Sequence, residues 1–377
     1  MKKQLTIASF SVSIFFMFIA LQTNGQAKDD ALKKIENHKK NDSTKVEMLI
    51  DYCVNSTFSN VDKNLEFAKQ ALLISNKINY TVGKIRAVNC LGNFYYQQAI
   101  YDKATFYYTT ALKLAEKKND TKNIVIGKSN LANIYNRTNQ QEKALVLLKE
   151  ADAILIKDGF ADSQNRAALL TNIGGTYSSL GKHNDAIAYH KKTLDLCEKL
   201  KISFGIAIAT VNIGEEYVAL KEYEKAEIYL EKSRVISAKE GLDNFLDKIY
   251  KNLGFVYWNT QMQDKAIVYL EKAKLVSEKS NDQNELLQIT EKLHQYYAKT
   301  GNLDKAYENS LKTIELNKSI NGIEKQKTIT EINTKYETEK KRNSNKIVAK
   351  RQTNCKFEYR KKTKSNLDYK FFVYNHS

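Results

Sequence analysis

Apolar residues recur along most of the chain at spacings of three and four, which is the spacing of one face of an α-helix. In one stretch, Ile173 and Tyr177 share a face of a first helix, and Gly174 beside them lets a neighbouring helix approach closely. A polar turn at 180–185 follows, and Ala186 and Thr193 then form a narrow stripe on a second helix. The pattern predicts a hairpin of two helices joined by a polar turn.

The hairpin pattern recurs with a period of 40 to 42 residues. Six aligned segments each end in a tyrosine: residues 90–95, 130–135, 172–177, 212–217, 252–257 and 292–297. Nine residues after each tyrosine comes an alanine: Ala104, Ala144, Ala186, Ala226, Ala266 and Ala306. Since no hairpin can bury its apolar face alone, we expect each to pack on its neighbours in an all-α solenoid. A divergent unit at 44–77 extends the prediction to about seven hairpins over residues 44–320.

The repeated pattern resembles the tetratricopeptide repeat, whose signature places leucine, glycine and tyrosine on one helix and alanine on the next. The resemblance covers residues 85–320 and implies a right-handed superhelical solenoid of antiparallel helix hairpins. This chain lacks the early tryptophan and the final proline of the signature, and its period exceeds the family's period of about 34 residues. Without proline the second helix can run a turn longer, which would account for the extra length.

Composition and charge narrow the classes of protein that fit. The chain has 377 residues, no proline and 14 glycines, which excludes collagen-like proteins, and its four cysteines exclude a disulfide-rich scaffold. The net charge is +17, but only seven of the 60 basic residues are arginine, the side chain that reads guanine and phosphate with two hydrogen bonds. We therefore expect no nucleic-acid partner.

The N-terminus reads as an export signal. Lys2 and Lys3 precede an apolar run from Leu5 to Leu21, and a small residue, Gly25 or Ala27, follows at the position where cleavage would occur. We assign 1–25 to a signal peptide and 26–43 to a polar lead-in, and expect a periplasmic or secreted protein. A membrane would be a partner only if the segment stays uncleaved, and the apolar run is shorter than a spanning helix of about 20 residues.

Motifs for catalysis or metal binding are missing from the sequence. It contains no HExxH, no phosphate-binding loop and no GxSxG, and its five histidines are scattered. The four cysteines show no CxxC spacing. His190 stands where the repeat places a large packing residue, so we expect it in the core. The sequence thus predicts a non-enzymatic protein without a metal site or cofactor.

Recognition of a protein or an extended peptide is the better hypothesis. One asparagine per unit precedes the apolar and small residues of the first helix, and helical geometry turns it away from the buried stripe. An amide can both donate to and accept from a peptide backbone. In peptide-binding members of the resembled family, the first helices line a concave groove. The predicted groove residues are Arg86, Asn89, Asn93, Asn130, Asn133, Arg137, Asn172, Asn212, Lys248, Lys251, Asn252 and Trp258.

An alternative interpretation is that these asparagines bridge neighbouring first helices and bind nothing. Glu215 and Glu291 also interrupt the basic part of the lining, so a strongly acidic ligand is not required. Phe255 and Trp258 are predicted to form an apolar pocket within the groove.

The C-terminal residues follow a different pattern. Residues 321–342 predict a charged helix, with Ile329, Ile332 and Tyr336 spaced as in a short coiled coil. Residues 343–377 are basic and lose all periodicity, which predicts a disordered tail, a basic arm, or a terminus created by a frameshift. The stretch 329–341 resembles the helix that leads from the repeats to the membrane in exported bacterial sensory proteins. The alternative function is therefore the sensor region of a membrane receptor, such as a histidine kinase, truncated before its spanning and output domains.

Overall fold

The computed structural model describes residues 25–55, 61–242 and 245–320, and within these ranges it contains helices and no strand. The helices are α1 (Gly25–Asn37), α2 (Ser43–Asn55), α3 (Val61–Lys77), α4 (Thr81–Gln97), α5 (Tyr101–Lys117), α6 (Thr121–Arg137), α7 (Gln141–Lys157), α8 (Gln164–Ser179), α9 (His183–Lys199), α10 (Ser203–Ala219), α11 (Tyr223–Glu240), α12 (Leu246–Asn259), α13 (Gln263–Ser280), α14 (Gln283–Lys299) and α15 (303–320). None of the helices described is long and apolar enough to cross a membrane.

Helices α2 to α15 form seven consecutive hairpins, each packed on the next. In each hairpin the even-numbered helix comes first and the odd-numbered helix second. This confirms the all-α solenoid predicted from the sequence. Residues 321–377, which hold the predicted charged helix and basic tail, lie outside the described residues. Most of the predicted signal segment, residues 1–24, lies outside them as well.

The stretch expected to be a polar lead-in contains α1. Ile35 of this helix is buried, and Ala31 and Leu32 pack with it on the apolar cluster of α2 and α3. The N-terminal hairpin therefore has a helix of this chain against it.

Small side chains on the second helices allow the hairpins to close. The six alanines that recur after the tyrosines have exposed fractions between 0% and 4%. Opposite them, the first helices carry glycines that leave room for a large neighbour. A Cβ atom on Gly174 would lie 2.5 Å from Cε1 of His190, and one on Gly214 would lie 2.7 Å from Cγ of Leu230. His190 is buried, as predicted, and burial lowers its pKa to about 4.

In the last hairpin a large residue replaces the glycine. His294 occupies the position equivalent to Gly174 and Gly254, and its Nδ1 lies 2.9 Å from the carbonyl oxygen of Ala306. The residue that corresponds to His190 on the second helix is Ser310, which is small. The site is thus filled from the first helix in this hairpin and from the second helix in the four hairpins that carry a glycine there, Gly92, Gly174, Gly214 and Gly254.

The connections between helices are short, and most have three residues. Almost every one contains a single residue in the left-handed conformation, and these residues lie 20 or 22 residues apart: Asn79, Ala99, Asn119, Asn139, Gly159, Gly181, Lys201, Lys221, Gly241, Gln261, Asn281 and Gly301. Such a residue ends a helix by turning the chain at its C-terminus. Helices α4 to α7 are each 17 residues long. The second helix is no longer than the first in these two hairpins, whereas α13, at 18 residues, is longer than α12, at 14.

Candidate functional site

The twelve predicted groove residues all lie on first helices, from α4 to α12. We call the surface formed by α4, α6, α8, α10, α12 and α14 the first-helix face. Neighbouring first helices are in direct contact along this face. Side chains between two of them are therefore covered from both sides.

The recurring asparagines are more buried than an open ladder requires. Asn172, Asn212 and Asn252 have exposed fractions of 8%, 4% and 8%, and Asn130 is half-buried. Neighbouring first helices contact each other along this face, and Asn252 reaches back to the preceding one, α10. The sequence pattern located these asparagines on the correct helices without revealing this lateral contact.

Asn252 bridges two first helices, as the alternative interpretation held. Its Nδ2 donates to Oε1 of Glu215 on α10 at 3.0 Å and to the backbone oxygen of Lys248 at 2.9 Å. Nζ of Lys248 lies 2.6 Å from Oε2 of the same Glu215. Burial acts to raise the pKa of Glu215, but the charges of Lys248 and Lys251 outweigh it and hold that pKa below its ordinary value. This part of the face is a closed polar network.

The next pair of first helices is linked in the same way. Nζ of Lys251 lies 2.6 Å from Oε1 of Glu285 and donates to Oε1 of Gln288 at 3.1 Å, both on α14. The basic lining predicted here is therefore neutralised by neighbouring carboxylates.

Trp258 does not leave an open apolar pocket on its α14 side. Its ring stacks on that of Tyr296 with 3.7 Å between the centroids and 7° between the planes. Lys299 lies over the tryptophan ring at 5.8 Å, and Lys292 lies over Phe255 at 5.6 Å. Stacking of this kind stabilises the contact between two first helices.

The α4 and α6 part of the face has looser polar contacts. Arg86 pairs with Glu47 and, at 3.0 Å, with Asp51, and all three side chains are partly or well exposed. Nε of Arg137 donates to the hydroxyl of Tyr96 at 3.3 Å. Asn93 accepts a 2.8 Å hydrogen bond from the hydroxyl of Tyr108 through its Oδ1.

Four asparagines of the first helices keep a buried amide atom without a partner among the described residues. These atoms are Oδ1 of Asn89, Oδ1 of Asn133, Oδ1 of Asn136 and Nδ2 of Asn212. An unpaired buried amide costs about 1 to 3 kcal/mol, so such atoms are uncommon unless something else satisfies them. Sequence reasoning found Asn89, Asn133 and Asn212 but missed Asn136, whose position three residues after Asn133 was the available signal. The other amide atom of Asn136 donates to Oγ1 of Thr176 on α8 at 2.9 Å.

Many of the lysines pack against tyrosines of the repeat. In five hairpins the lysine eight residues after the repeat tyrosine lies over its ring, as Lys265 does over Tyr257 at 3.7 Å. The others are Lys103 over Tyr95, Lys143 over Tyr135, Lys225 over Tyr217 and Lys305 over Tyr297. Part of the positive charge thus has a packing role.

Comparisons with known proteins agree with this architecture. A tetratricopeptide repeat model matches residues 130–199 and 165–239, and a second matches residues 247–279. No curated protein sequence matches the chain.

Three solved structures resemble it at low sequence identity. A Rap protein complexed with competence and sporulation factor has a TM-score of 0.54 at 14% identity, covering 82% of this chain and 96% of that one. Aspartyl phosphate phosphatase F from Bacillus subtilis has a TM-score of 0.54 at 14% identity, covering 84% and 96%. A signal transduction ATPase with a tetratricopeptide repeat sensor from Pyrococcus horikoshii has a TM-score of 0.56 at 17% identity, covering 79% and 47%.

These identities establish a shared fold and nothing about ligands. The family models match repeats in the middle of the array, and hairpins with the same small residues and tyrosines extend on both sides of them. The chain contains tetratricopeptide repeats over residues 130–239 and 247–279.

Proposed function

We propose that this protein is a non-enzymatic scaffold that binds an extended peptide or protein segment on the first-helix face, between α4 and α10. The observation that carries the proposal is the set of unpaired amide atoms on Asn89, Asn133 and Asn212. A peptide backbone offers N–H donors and C=O acceptors at regular intervals, and either can pair with an amide. Neighbouring first helices cover these atoms in the free chain, so the ligand would part those helices slightly, and its hydrogen bonds would then remove the cost of leaving the atoms unpaired.

The fold and its neighbours support a protein ligand. Repeat solenoids present extended surfaces that suit elongated segments. The Rap structure that resembles this chain contains a bound factor, competence and sporulation factor. In this chain the ligand need not be strongly acidic, because Lys248 and Lys251 are already paired with Glu215 and Glu285.

The proposal predicts that Asn212 and Asn252 behave differently. A library of peptides about 12 residues long is screened for binding to the full chain. The affinity of the selected peptide is then measured by fluorescence anisotropy. Asn212→Ala should weaken binding about five- to tenfold while leaving the melting temperature unchanged or higher. Asn252→Ala, the matched control, removes a bond between helices and should lower the melting temperature while leaving the affinity near that of the wild type.

Two outcomes would contradict the proposal. One is that the wild-type chain selects no peptide at micromolar concentration. The other is that Asn212→Ala and Asn133→Ala both bind the selected peptide as the wild type does, which would place the binding surface elsewhere.

We also propose that the protein acts outside the cytoplasm, on the strength of the signal-like pattern in residues 1–25. In that setting the alternative role is the input region of a membrane receptor. A fusion of the N-terminal segment to an export-dependent reporter tests this location. A reporter that stays inactive would contradict export. Co-purification from the envelope fraction then separates the roles, since a scaffold should retain a protein partner.

A further inference from the structure

The last described helix, α15, carries an apolar stripe that faces solvent. Leu303, Tyr307, Leu311 and Ile314 have exposed fractions of 70%, 67%, 50% and 49%. Their spacing of four, four and three places them along one face of the helix. The opposite face, with Ala306 and Leu316, is buried against the rest of the hairpin.

On inner second helices the positions of Tyr307 and Ile314 are apolar and covered by the following first helix, whereas the position of Leu311 holds the exposed Lys191 on α9. Ile187 and Leu194 on α9 correspond to Tyr307 and Ile314, and each has an exposed fraction of only 7%. They belong to the same apolar cluster as Ala209 and Ile213 of α10. Leu145 on α7 corresponds to Tyr307 as well, and it clusters with Leu170 of α8. The stripe on α15 thus has the chemistry of a helix-packing surface.

We propose that this stripe pairs with the stripe of a second copy of the chain across a twofold axis. In a twofold interface the same patch serves on both sides, so a single apolar stripe is sufficient. Helix α15 carries three acidic and three basic side chains, so two copies meet without net repulsion: Asp304, Glu308, Glu315, Lys305, Lys312 and Lys318.

The area and the adjoining sequence agree with this occupant. The exposed parts of the four side chains amount to about 450 Å² per copy, or about 900 Å² in a dimer, which is in the range of weak and reversible association. The sequence that follows α15 carries the coiled-coil seam of Ile329, Ile332 and Tyr336, a pattern that requires a partner helix.

The test measures the oligomeric state of the full chain and of matched variants by sedimentation equilibrium, between about 1 and 100 µM. The wild-type chain should shift from monomer to dimer across this range. Tyr307→Glu with Leu311→Glu should weaken the dimer at least about tenfold, because each charge would be buried against its own copy. Ile228→Glu with Leu275→Glu is the control, since these side chains on α11 and α13 are as exposed, at 68% and 65%, and lie outside the stripe.

A second stripe variant, Ile314→Lys, provides an independent test in case the double glutamate variant misfolds. Circular dichroism should show wild-type helicity for both variants. A wild-type chain that stays monomeric at the highest concentration overturns the proposal, whether another part of the chain or a different protein covers the stripe. A dimer that survives both stripe variants, or that only the control pair disrupts, overturns it too.

Discussion

The two ends of the first-helix face are built on the same backbone and differ in how their polar groups are paired. Between α10 and α14, Lys248 and Lys251 form close pairs with carboxylates of the adjoining first helices. Between α2 and α6, the pairs that Arg86 of α4 makes with α2 are more exposed, and Asn89 and Asn133 keep unpaired amide atoms. A repeat therefore specifies the packing within each hairpin, while the contacts between neighbouring first helices decide which part of the face is structural and which can bind.

The largest effect that this comparison predicts is on stability. Lys248→Ala should lower the free energy of unfolding by about 2 to 3 kcal/mol, because it leaves the largely buried carboxylate of Glu215, 21% exposed, without its ion pair. Arg86→Ala, which breaks a more exposed pair, should cost about 1 kcal/mol or less. Urea denaturation of both variants measures the difference. Equal costs would show that the two ends do not differ as described.

The packing inside the hairpins should respond equally to a larger residue at either end of the first-helix face. Gly92→Leu and Gly214→Leu should each destabilise the protein by about 1 to 3 kcal/mol, since a Cβ would already lie 2.4 Å from Tyr108 and 2.7 Å from Leu230. Thermal melts compare the two variants. A tolerated leucine at either site would mean that the hairpins are not packed alike and that the comparison extends below the surface.

The α12 end should also carry a pH dependence. Asp247 lies in the first turn of α12, where it is buried and accepts a hydrogen bond from Ser277. Burial raises its pKa from 3.8 to about 6, and Glu285 and Asp282 add to the shift. A carboxyl whose pKa is higher in the folded state favours folding below pH 3.8, and this contribution is lost as the pH rises through 6.

Asp247→Asn should therefore gain about 1 kcal/mol over the wild type at pH 8 and show a flatter stability profile between pH 4 and 7. Denaturation midpoints at several pH values measure this. Asp185→Asn, at an exposed carboxyl on α9, is the control and should leave the profile as it is. A profile unchanged by Asp247→Asn would contradict the assignment.

The sequence was sufficient to predict the solenoid. Ala104, Ala144 and their equivalents identify the close contacts, because only a small residue at a fixed place in each unit lets two helices approach. The tyrosines locate the first helices, and from them the groove residues were placed on the correct elements. Repetition made these inferences secure, since each position was read six times.

The pairing of the groove side chains could not be predicted in the same way. Whether Asn252 bonds to Glu215, or Asn212 keeps a free amide hydrogen, depends on a neighbour about 40 residues away and on rotamers that no period encodes. The repeat pattern also does not predict when the large residue of a contact moves from the second helix to the first. His294 is such a case, because the facing position on the second helix holds the small Ser310. Such contacts vary from unit to unit and are where recognition differs between otherwise similar arrays.

The left-handed residues that close the helices have an engineering consequence. Since most of these connections, within and between hairpins alike, are three residues long with the same backbone turn, a block such as 81–120 can be excised or duplicated without designing a new junction. Eight of the twelve turn residues carry a side chain in a conformation that glycine adopts without strain. Substitution by glycine at Lys201, Lys221 or Gln261 should accordingly raise the stability of the protein without changing the first-helix face.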